Sequence, residues 1–190
     1  IASMERAEKE VGRKFNCIVP LEAGGINATI PLVVAARLGL PVVDGDGMGR
    51  AFPEFQMTTF NIYGAEINPF VMSDDFKNTV LINTDKALRT ERYGRPVCVQ
   101  MGGIASCASY PLDGPTIRRT CVPRTVSLAI ESGAASREAR VSGQKDVCLA
   151  LVDFFKDANP PRFATILFDG KIVDVIRETT AGFAVGKARI

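Results

Sequence analysis

Short apolar runs separated by turn residues fill the first quarter of the chain, and their spacing predicts an alternation of strands and helices. Residues 17–21 and 40–43 are apolar runs that suit short buried strands. Between them, residues 27–38 carry apolar side chains at helical spacing, and Gly39 is placed to end that helix. A strand–helix–strand order of this kind is typical of a mostly parallel sheet.

The middle of the chain continues this alternation. Residues 79–82 and 96–101 are predicted as strands, with a helix over residues 84–92 between them. Residues 54–62 fit a helix or a strand equally well. Three further helices are predicted over residues 113–122, 124–140 and 146–155.

The pattern changes at Asn159-Pro160-Pro161, beyond which apolar residues recur with a period of two. Residues 163–168 and 172–176 are predicted strands that flank Asp169-Gly170, a strong hairpin-turn signal. A turn at residues 180–182 and a last strand over residues 183–190 complete the prediction.

These boundaries predict two domains. Residues 1–159 would form an α/β domain with a mostly parallel sheet, and residues 160–190 would begin a β-rich domain. The first residues already resemble the body of a helix, and the last predicted strand needs a partner. We therefore expect the chain to be part of a longer protein.

Composition narrows the classes of partner. The 190 residues are 46% hydrophobic and 23% charged, which is ordinary for a globular protein. The net charge of +2 argues against nucleic acid or an anionic membrane as a partner. No apolar run approaches the roughly 18 residues needed to span a bilayer. The five cysteines contain no CxxC pair, so we expect reduced thiols and a cytoplasmic protein.

The chain contains no histidine, and this restricts its chemistry. Ser-His-Asp and Cys-His catalysis are excluded, and the commonest zinc ligand is absent. Acid–base chemistry must therefore come from carboxylates, lysine, cysteine, tyrosine or water.

Four acids stand at turns between the first apolar runs, where open α/β sheets bind ligands. Glu22 follows the first predicted strand and either projects into a crevice or caps the next helix. Asp44 and Asp46 alternate with glycines that would let the backbone fold round a ligand. They suit a divalent cation or a shared proton, or are solvated loop acids. Glu54 lies further along the same loop.

Glycine-rich turns offer backbone N–H groups near these acids. Gly24, Gly25 and Asn27 resemble a turn that cradles a ligand at a helix N-terminus, although a plain tight turn is the simpler interpretation. Gly102 and Gly103 follow the strand predicted over residues 96–101 and offer the same groups.

Two further side chains are candidates for contact with a substrate. Arg50 could hold a substrate carboxylate or pair with a neighbouring acid such as Glu54. Cys107 could act as a nucleophile, but without histidine its activation would need a helix N-terminus or a nearby cation.

The run over residues 20–54, which includes PLEAGGINA and GLPVVDGDGMGRAFPE, closely resembles a family once catalogued as DUF917. That family is now described as S-methyl-thiohydantoin desulfurase-like, or hydantoinase/oxoprolinase-associated. Further matches run in the family's order: QMTTF from residue 56, MGG from 101, YPL from 110, PRTVSLA from 123 and GKIVDV from 170.

The resemblance implies a three-layer α/β sandwich followed by a β-rich, barrel-like domain. It also implies a small-molecule ligand, a cyclic ureide or thioureide such as a hydantoin. Family members begin with a Gly-rich segment that ends in Gly-Asn-Pro and is missing here. The resemblance therefore implies that this chain is a central fragment.

The chemistry of the candidate residues then gives a functional hypothesis. Water would attack the ring carbon of a hydantoin- or thiohydantoin-like cyclic amide, with Glu22 or Asp46 as general base. A divalent metal held by Asp44 and Asp46 could assist. Backbone amides of Gly24, Gly25 and Gly102 would stabilise the oxyanion, and Arg50 would orient the substrate.

The alternative hypothesis is a non-catalytic subunit that binds or assembles with a hydantoinase or oxoprolinase. The lack of histidine favours it modestly. Under either hypothesis, a second copy of the chain or a hydantoinase is the expected protein partner.

Overall fold

The computed structural model describes residues 1–143, 146–180 and 183–190. Its internal contacts divide the chain into an N-terminal unit, Ile1–Val126, and a C-terminal unit, Ser127–Ile190. The predicted boundary at residue 159 stays a prediction. The N-terminal unit contains α1 Ala2–Val11, α2 Gly25–Leu38, β1 Gly45–Asp46, a 3₁₀ turn Phe55–Met57, α3 Thr59–Ile62, β2 Phe70–Ser73, β3 Thr79–Ile82, α4 Ala87–Gln100, β4 Ser106–Ala108, α5 Gly114–Thr120 and β5 Val122–Pro123. Helix α6 Thr125–Val141 continues into the C-terminal unit, which adds α7 Val147–Asp157, β6 Asp174–Thr180 and β7 Phe183–Arg189.

An antiparallel sheet of three strands, in the order β3-β2-β4, forms the centre of the N-terminal unit. Phe70 pairs with Ile82, and Val71 pairs with Leu81 on one side and Ala108 on the other. All four residues of β2 are buried, so both faces of this strand are covered because successive side chains point to opposite faces. Helices α1 and α4 both contact it. The buried core of the unit consists of Phe60, Ile67, Phe70, Met72, Ile82, Ala87 and Tyr110.

The strand predicted over residues 96–101 is wrong, because α4 continues through Pro96 to Gln100. Val97, Cys98 and Met101 pack against the core, and Gly94 is buried beside Phe70. These four positions have the spacing i, i+3, i+4 and i+7 of a single helix face. The short run Val-Cys-Val has the local pattern of a strand, but packing of this helix face against the core favours the helix.

The expected parallel sheet is also wrong: among the described residues, the three sheets are antiparallel. The two apolar runs before and after α2 do meet in parallel, but only through a single bridge between Ile18 and Val42. The N–H of Ile18 donates to Pro41 at 2.9 Å, and that of Val43 donates to Ile18 at 2.8 Å. Pro20 and Pro41 lack an N–H group, so neither can donate to a longer ladder.

The C-terminal unit contains a two-stranded antiparallel hairpin, with Asp174 paired to Arg189 and Thr180 to Phe183. The strand predicted at the end of the chain is confirmed as β7. The hairpin predicted around Asp169-Gly170 is wrong, because residues 163–168 have no regular structure and β6 pairs with β7 instead. Residues 181–182 of the predicted second turn lie outside the described residues. The described residues form no closed barrel.

Within the described ranges, every helix is too short or too polar to cross a membrane.

The segment Gly45-Asp46-Gly47-Met48 is wholly buried, which a loop of solvated acids would not be. Gly45 and Asp46 form β1, which pairs with Pro123 and Val122 of β5. A Cβ atom on Gly45 would lie 2.6 Å from the Cys121 sulfur. On Gly47 it would lie 2.6 Å from the Phe60 ring and 2.9 Å from the Leu21 carbonyl oxygen. These two glycines therefore serve close packing, and the ligand-folding role that the sequence suggested stays a prediction.

We expect Gly47→Ala to lower the free energy of unfolding by about 1–3 kcal/mol, because the new methyl group overpacks the site between Phe60 and Leu21. Urea denaturation monitored by circular dichroism measures this change. Gly133→Ala in α6 is the matched control, since nothing lies within 4 Å of its added Cβ. It should stabilise by up to about 1 kcal/mol through helix propensity. An equal effect of both substitutions would contradict the packing argument.

Candidate functional site

Asp46 is a carboxylate with no exposed surface. Its Oδ1 accepts hydrogen bonds from the backbone N–H groups of Met48 at 2.9 Å and Gly49 at 2.5 Å. Burial raises the pKa of Asp46 above its ordinary value, although the N–H groups of Gly49, Met48 and Ala23 and the Thr125 hydroxyl act in the opposite direction. Oδ2 is also buried, and no donor reaches it in hydrogen-bond geometry.

Glu22 lies between the bridge residue Ile18 and the start of α2, where both of its carboxylate oxygens accept hydrogen bonds. The Asn27 side chain donates to Oε1 at 2.5 Å, and the backbone N–H of Phe52 donates to Oε2 at 2.9 Å. Gly24 is the N-cap of α2, so Asn27 orients Glu22 instead of capping the helix. The N–H groups of Gly25 and its two successors have no partner within the helix, because its first turn supplies none.

The structure brings Glu22 and Asp46 to the same small recess of the N-terminal unit. The recess has a volume of about 10 Å³, which is room for about one water molecule. Thr125 adds a third polar side chain to it. The recess is lined by Pro20, Glu22, Ala23, Ala28, Asp46, Thr125 and Val126.

The loop that follows Asp46 is held in place by side chains acting on its main chain. Glu91 of α4 accepts a hydrogen bond from the N–H of Phe55 at 3.3 Å and pairs with Arg95, which donates to the carbonyl of Pro53 at 3.0 Å. The Tyr110 hydroxyl donates to the carbonyl of Phe55 at 3.1 Å. Together with the bond from Phe52 to Glu22, these contacts fix the path of the loop.

The side chains of Arg50 and Phe52 lie at the surface of the loop. The Arg50 guanidinium lies 5.2 Å from the centre of the Phe52 ring, and both residues are exposed. Glu54 accepts a short hydrogen bond from Gln56. Arg50 therefore contacts an aromatic ring, which the sequence did not suggest, and Glu54 contacts an amide.

Asp44 and Asp46 have different environments, since Asp44 is exposed and Asp46 is buried. The backbone carbonyl of Asp44 accepts from the N–H of Arg124 at 2.9 Å. In the part of the chain that the structure describes, no three acidic or cysteine side chains form a group that could hold a metal ion. The described residues thus offer no support for the predicted paired metal site.

Gly102 and Gly103 do not follow a strand, because α4 precedes them. Both have positive φ angles of 95° and 85°, and they form the turn that ends the helix. Their N–H groups donate to Val99 at 3.1 Å and to Cys98 at 2.9 Å. These amides are therefore engaged in ending α4, and the oxyanion role of Gly102 stays a prediction.

Cys107 lies on β4 opposite Met72. Burial of the thiol, together with the nearby Cys98, Glu91 and Glu22, raises its pKa to about 11, although the residue keeps exposed surface. A thiol with this pKa is protonated at neutral pH. The structure therefore does not supply the activation that a nucleophilic Cys107 would need.

Sequence reasoning missed Thr125, Glu91 and Arg95. Thr125 lies in the PRTVSLA motif quoted above, so the motif was recognised but its hydroxyl was not singled out. Glu91 and Arg95 have the i,i+4 spacing of a helical ion pair, which was the available signal. The sequence gives no sign that this pair holds a distant loop, where Glu91 bonds to Phe55 across 36 positions.

Comparison with known proteins gives two family matches. Residues 1–84 match the model described as "S-Me-THD-like, N-terminal domain", and residues 84–190 match "S-Me-THD-like, C-terminal domain". A search of curated proteins gave no match.

The chain is also similar to a crystal structure of a protein from Chromobacterium violaceum. The two are 26% identical with a TM-score of 0.71, over 84% of this chain. The match spans 44% of that protein, so this chain corresponds to less than half of its length.

We expect Glu91→Gln to lower the free energy of unfolding by about 1.5–3 kcal/mol, because it weakens charge-assisted hydrogen bonds of a buried carboxylate. Hydrogen exchange at the Phe52 and Phe55 amides should accelerate as the loop loosens. Asp85→Asn is the matched control, since Asp85 stands just before the same helix and its ion pair with Arg89 is more than half exposed. It should cost less than about 1 kcal/mol. Unchanged exchange in Glu91→Gln would contradict the role of Glu91 in holding the loop.

The raised pKa of Cys107 predicts slow alkylation of this residue. Its rate of reaction with iodoacetamide should rise about tenfold per pH unit until close to pH 11, because only the thiolate reacts. In the urea-unfolded chain the rate of alkylation should level off above pH ~8.5, the ordinary pKa of a cysteine thiol. Peptide mapping by mass spectrometry follows this one cysteine. A plateau near neutral pH in the folded protein would show an activated thiol instead.

Proposed function

The chain belongs to the S-Me-THD-like family, and on that premise we propose that it contributes to hydrolysis of a hydantoin- or thiohydantoin-like cyclic amide. Water is the nucleophile, and a carboxylate of the N-terminal unit is the general base. The observation that carries this proposal is the shared recess, where Glu22 and Asp46 meet although 24 positions separate them in the chain.

Glu22 is the better candidate for the general base. It keeps partial exposure, whereas Asp46 has none. Its two hydrogen bonds, from Asn27 and from the Phe52 N–H, fix the carboxylate in one orientation. A carboxylate has about four lone-pair positions, so two remain available to a water molecule or a ring N–H. The fixed orientation favours proton transfer, since general-base catalysis needs the base within hydrogen-bond reach.

The first turn of α2 provides the electrostatic complement. The N–H groups of Gly25 and Asn27 have no carbonyl partner in the helix, and the helix dipole places partial positive charge there. Donors of this kind stabilise the negative charge that develops on a carbonyl oxygen under attack. Because Glu22 is bonded to Asn27, base and donors lie at the same end of α2.

Arg50 and Phe52 supply substrate orientation in this proposal. The Phe52 main chain is bonded to Glu22, so the exposed ring and the cation above it are attached to the loop beside the base. An aromatic face suits a planar ureide ring, and a guanidinium suits its carbonyl oxygen or a carboxylate substituent.

The test uses Glu22→Gln and Asp46→Asn in the full-length protein, with turnover of a hydantoin and of a thiohydantoin as the measurement. We expect kcat to fall by about 10²–10⁴-fold in Glu22→Gln, because the amide cannot accept the proton. The kcat of Asp46→Asn should fall as well. Glu66→Gln, an exposed acid of the same unit, is the control and should keep full turnover.

Full turnover in both site variants would overturn the residue roles. If the wild-type protein binds the ring by calorimetry without turning it over, the non-catalytic alternative is favoured instead. Circular dichroism of each variant separates loss of activity from loss of folding.

A further inference from the structure

Two buried polar atoms of the N-terminal unit have no partner in hydrogen-bond geometry, although the Thr125 hydroxyl acts on the Asp46 carboxylate electrostatically, and the residues that carry these atoms line the same recess. The two atoms are Oδ2 of Asp46, a residue with no exposed surface, and Oγ1 of Thr125, a residue that is 3% exposed. Leaving such a group unsatisfied costs about 1–3 kcal/mol, and buried polar groups in proteins are paired with protein or with ordered water.

The recess meets the requirements for one bound water molecule. Its volume of about 10 Å³ is close to the minimum that a single water needs. A buried water also needs two to four polar partners. The Asp46 carboxylate can accept from it, the Thr125 hydroxyl can donate to it or accept from it, and Glu22 lines the same space.

The size of the recess excludes a larger occupant. Pro20, Ala23, Ala28 and Val126 contribute apolar surface, and a hydrated cation does not fit a space of this size. The path of the backbone explains why Thr125 faces inwards. Arg124 has a φ of 62°, and its N–H donates to Asp44 at 2.9 Å, so the chain turns sharply just before α6 begins.

We propose that the recess is a binding site for a single ordered water molecule between Asp46 Oδ2 and Thr125 Oγ1, and that Thr125 is the residue that positions this water against Glu22. The catalytic part of this inference rests on the proposed function. In that reaction, Glu22 takes one proton from the water while its oxygen bonds to the ring carbonyl carbon. The π electrons of the carbonyl group move to the carbonyl oxygen and give a tetrahedral intermediate. When this oxygen re-forms its double bond to carbon, the ring C–N bond breaks and the nitrogen takes the proton from Glu22.

The assignment distinguishes three roles for three polar groups. Asp46 anchors the water, because its other oxygen is already fixed by the N–H groups of Met48 and Gly49. Thr125 orients the water by its hydroxyl. Glu22 alone carries the proton, since it reaches both the recess and the exposed end of α2.

The experiment compares Thr125→Val, which replaces the hydroxyl with a methyl group of similar size, with Thr125→Ser, which keeps it. Crystal structures at high resolution should show a water within about 2.6–3.2 Å of Asp46 Oδ2 in the wild-type protein and in Thr125→Ser. In Thr125→Val this water molecule should be absent or displaced. In the full-length protein, kcat of Thr125→Val should fall about tenfold or more with KM changed less than twofold, and Thr125→Ser should restore most of it.

The two proposals can fail separately. Wild-type density that shows an empty recess, or a direct bond from Thr125 to Asp46 that closes it, overturns the water site even if the protein hydrolyses its substrate. An ordered water in a protein that turns over neither ring class supports the water site and overturns the proposed function. Equal kcat in Thr125→Val and in the wild-type protein overturns the positioning role of Thr125. If Thr125→Val does not fold, the electron density of the wild-type protein still decides whether the recess holds a water molecule.

Discussion

The buried carboxylate of Asp46 is the interaction on which the candidate site depends. It satisfies the N–H groups of Met48 and Gly49, so the chain can turn inside the protein without leaving amides unpaired. The main chain on either side continues the network. Asp46 accepts from the Cys121 thiol at 3.2 Å, and Gly47 donates to Leu21 at 3.0 Å and accepts from the N–H of Thr59. Three distant stretches of sequence therefore meet at this turn, including those that carry Glu22 and Thr125.

Carboxylates that bind distant backbone amides are a recurrent device in the N-terminal unit. Glu8 accepts from Phe15, Glu22 from Phe52 and Glu91 from Phe55. Each bond connects a helix, or the approach to one, with a segment that no sheet holds. Strand pairing among the described residues is short, with two to four residue pairs per ladder in this unit. In this unit, hydrogen bonds from backbone N–H groups to side-chain carboxylates hold distant segments together, as a long parallel sheet does in other α/β proteins.

The sequence analysis succeeded where local pattern controls structure. Helices α1, α2, α5, α6 and α7 and strands β3 and β7 were predicted within a few residues. It named Glu22 and Asp46 as alternative general bases, and both line one recess, but the crevice that it expected was one shared by Glu22 and Asp44 at the edge of a parallel sheet that does not form. The errors concern long-range packing. The strand assigned to residues 96–101 belongs to α4, because a helix face against β2 outweighs a local β pattern. Glu91 was not recognised as a site residue, since its bond to Phe55 spans 36 positions and leaves no periodic trace.

The way in which the loop after Asp46 is held has a consequence for divergence within the family. Glu22, Glu91, Arg95 and Tyr110 contact the peptide groups of residues 52, 53 and 55, which every amino acid except proline offers in full. The side chains at the surface of this loop are therefore not part of what keeps it in place. Substitutions at Arg50 and Phe52 can therefore change the exposed chemistry of this loop while the scaffold beneath stays constant. The surface chemistry of this loop and the stability of the fold can in this way change independently.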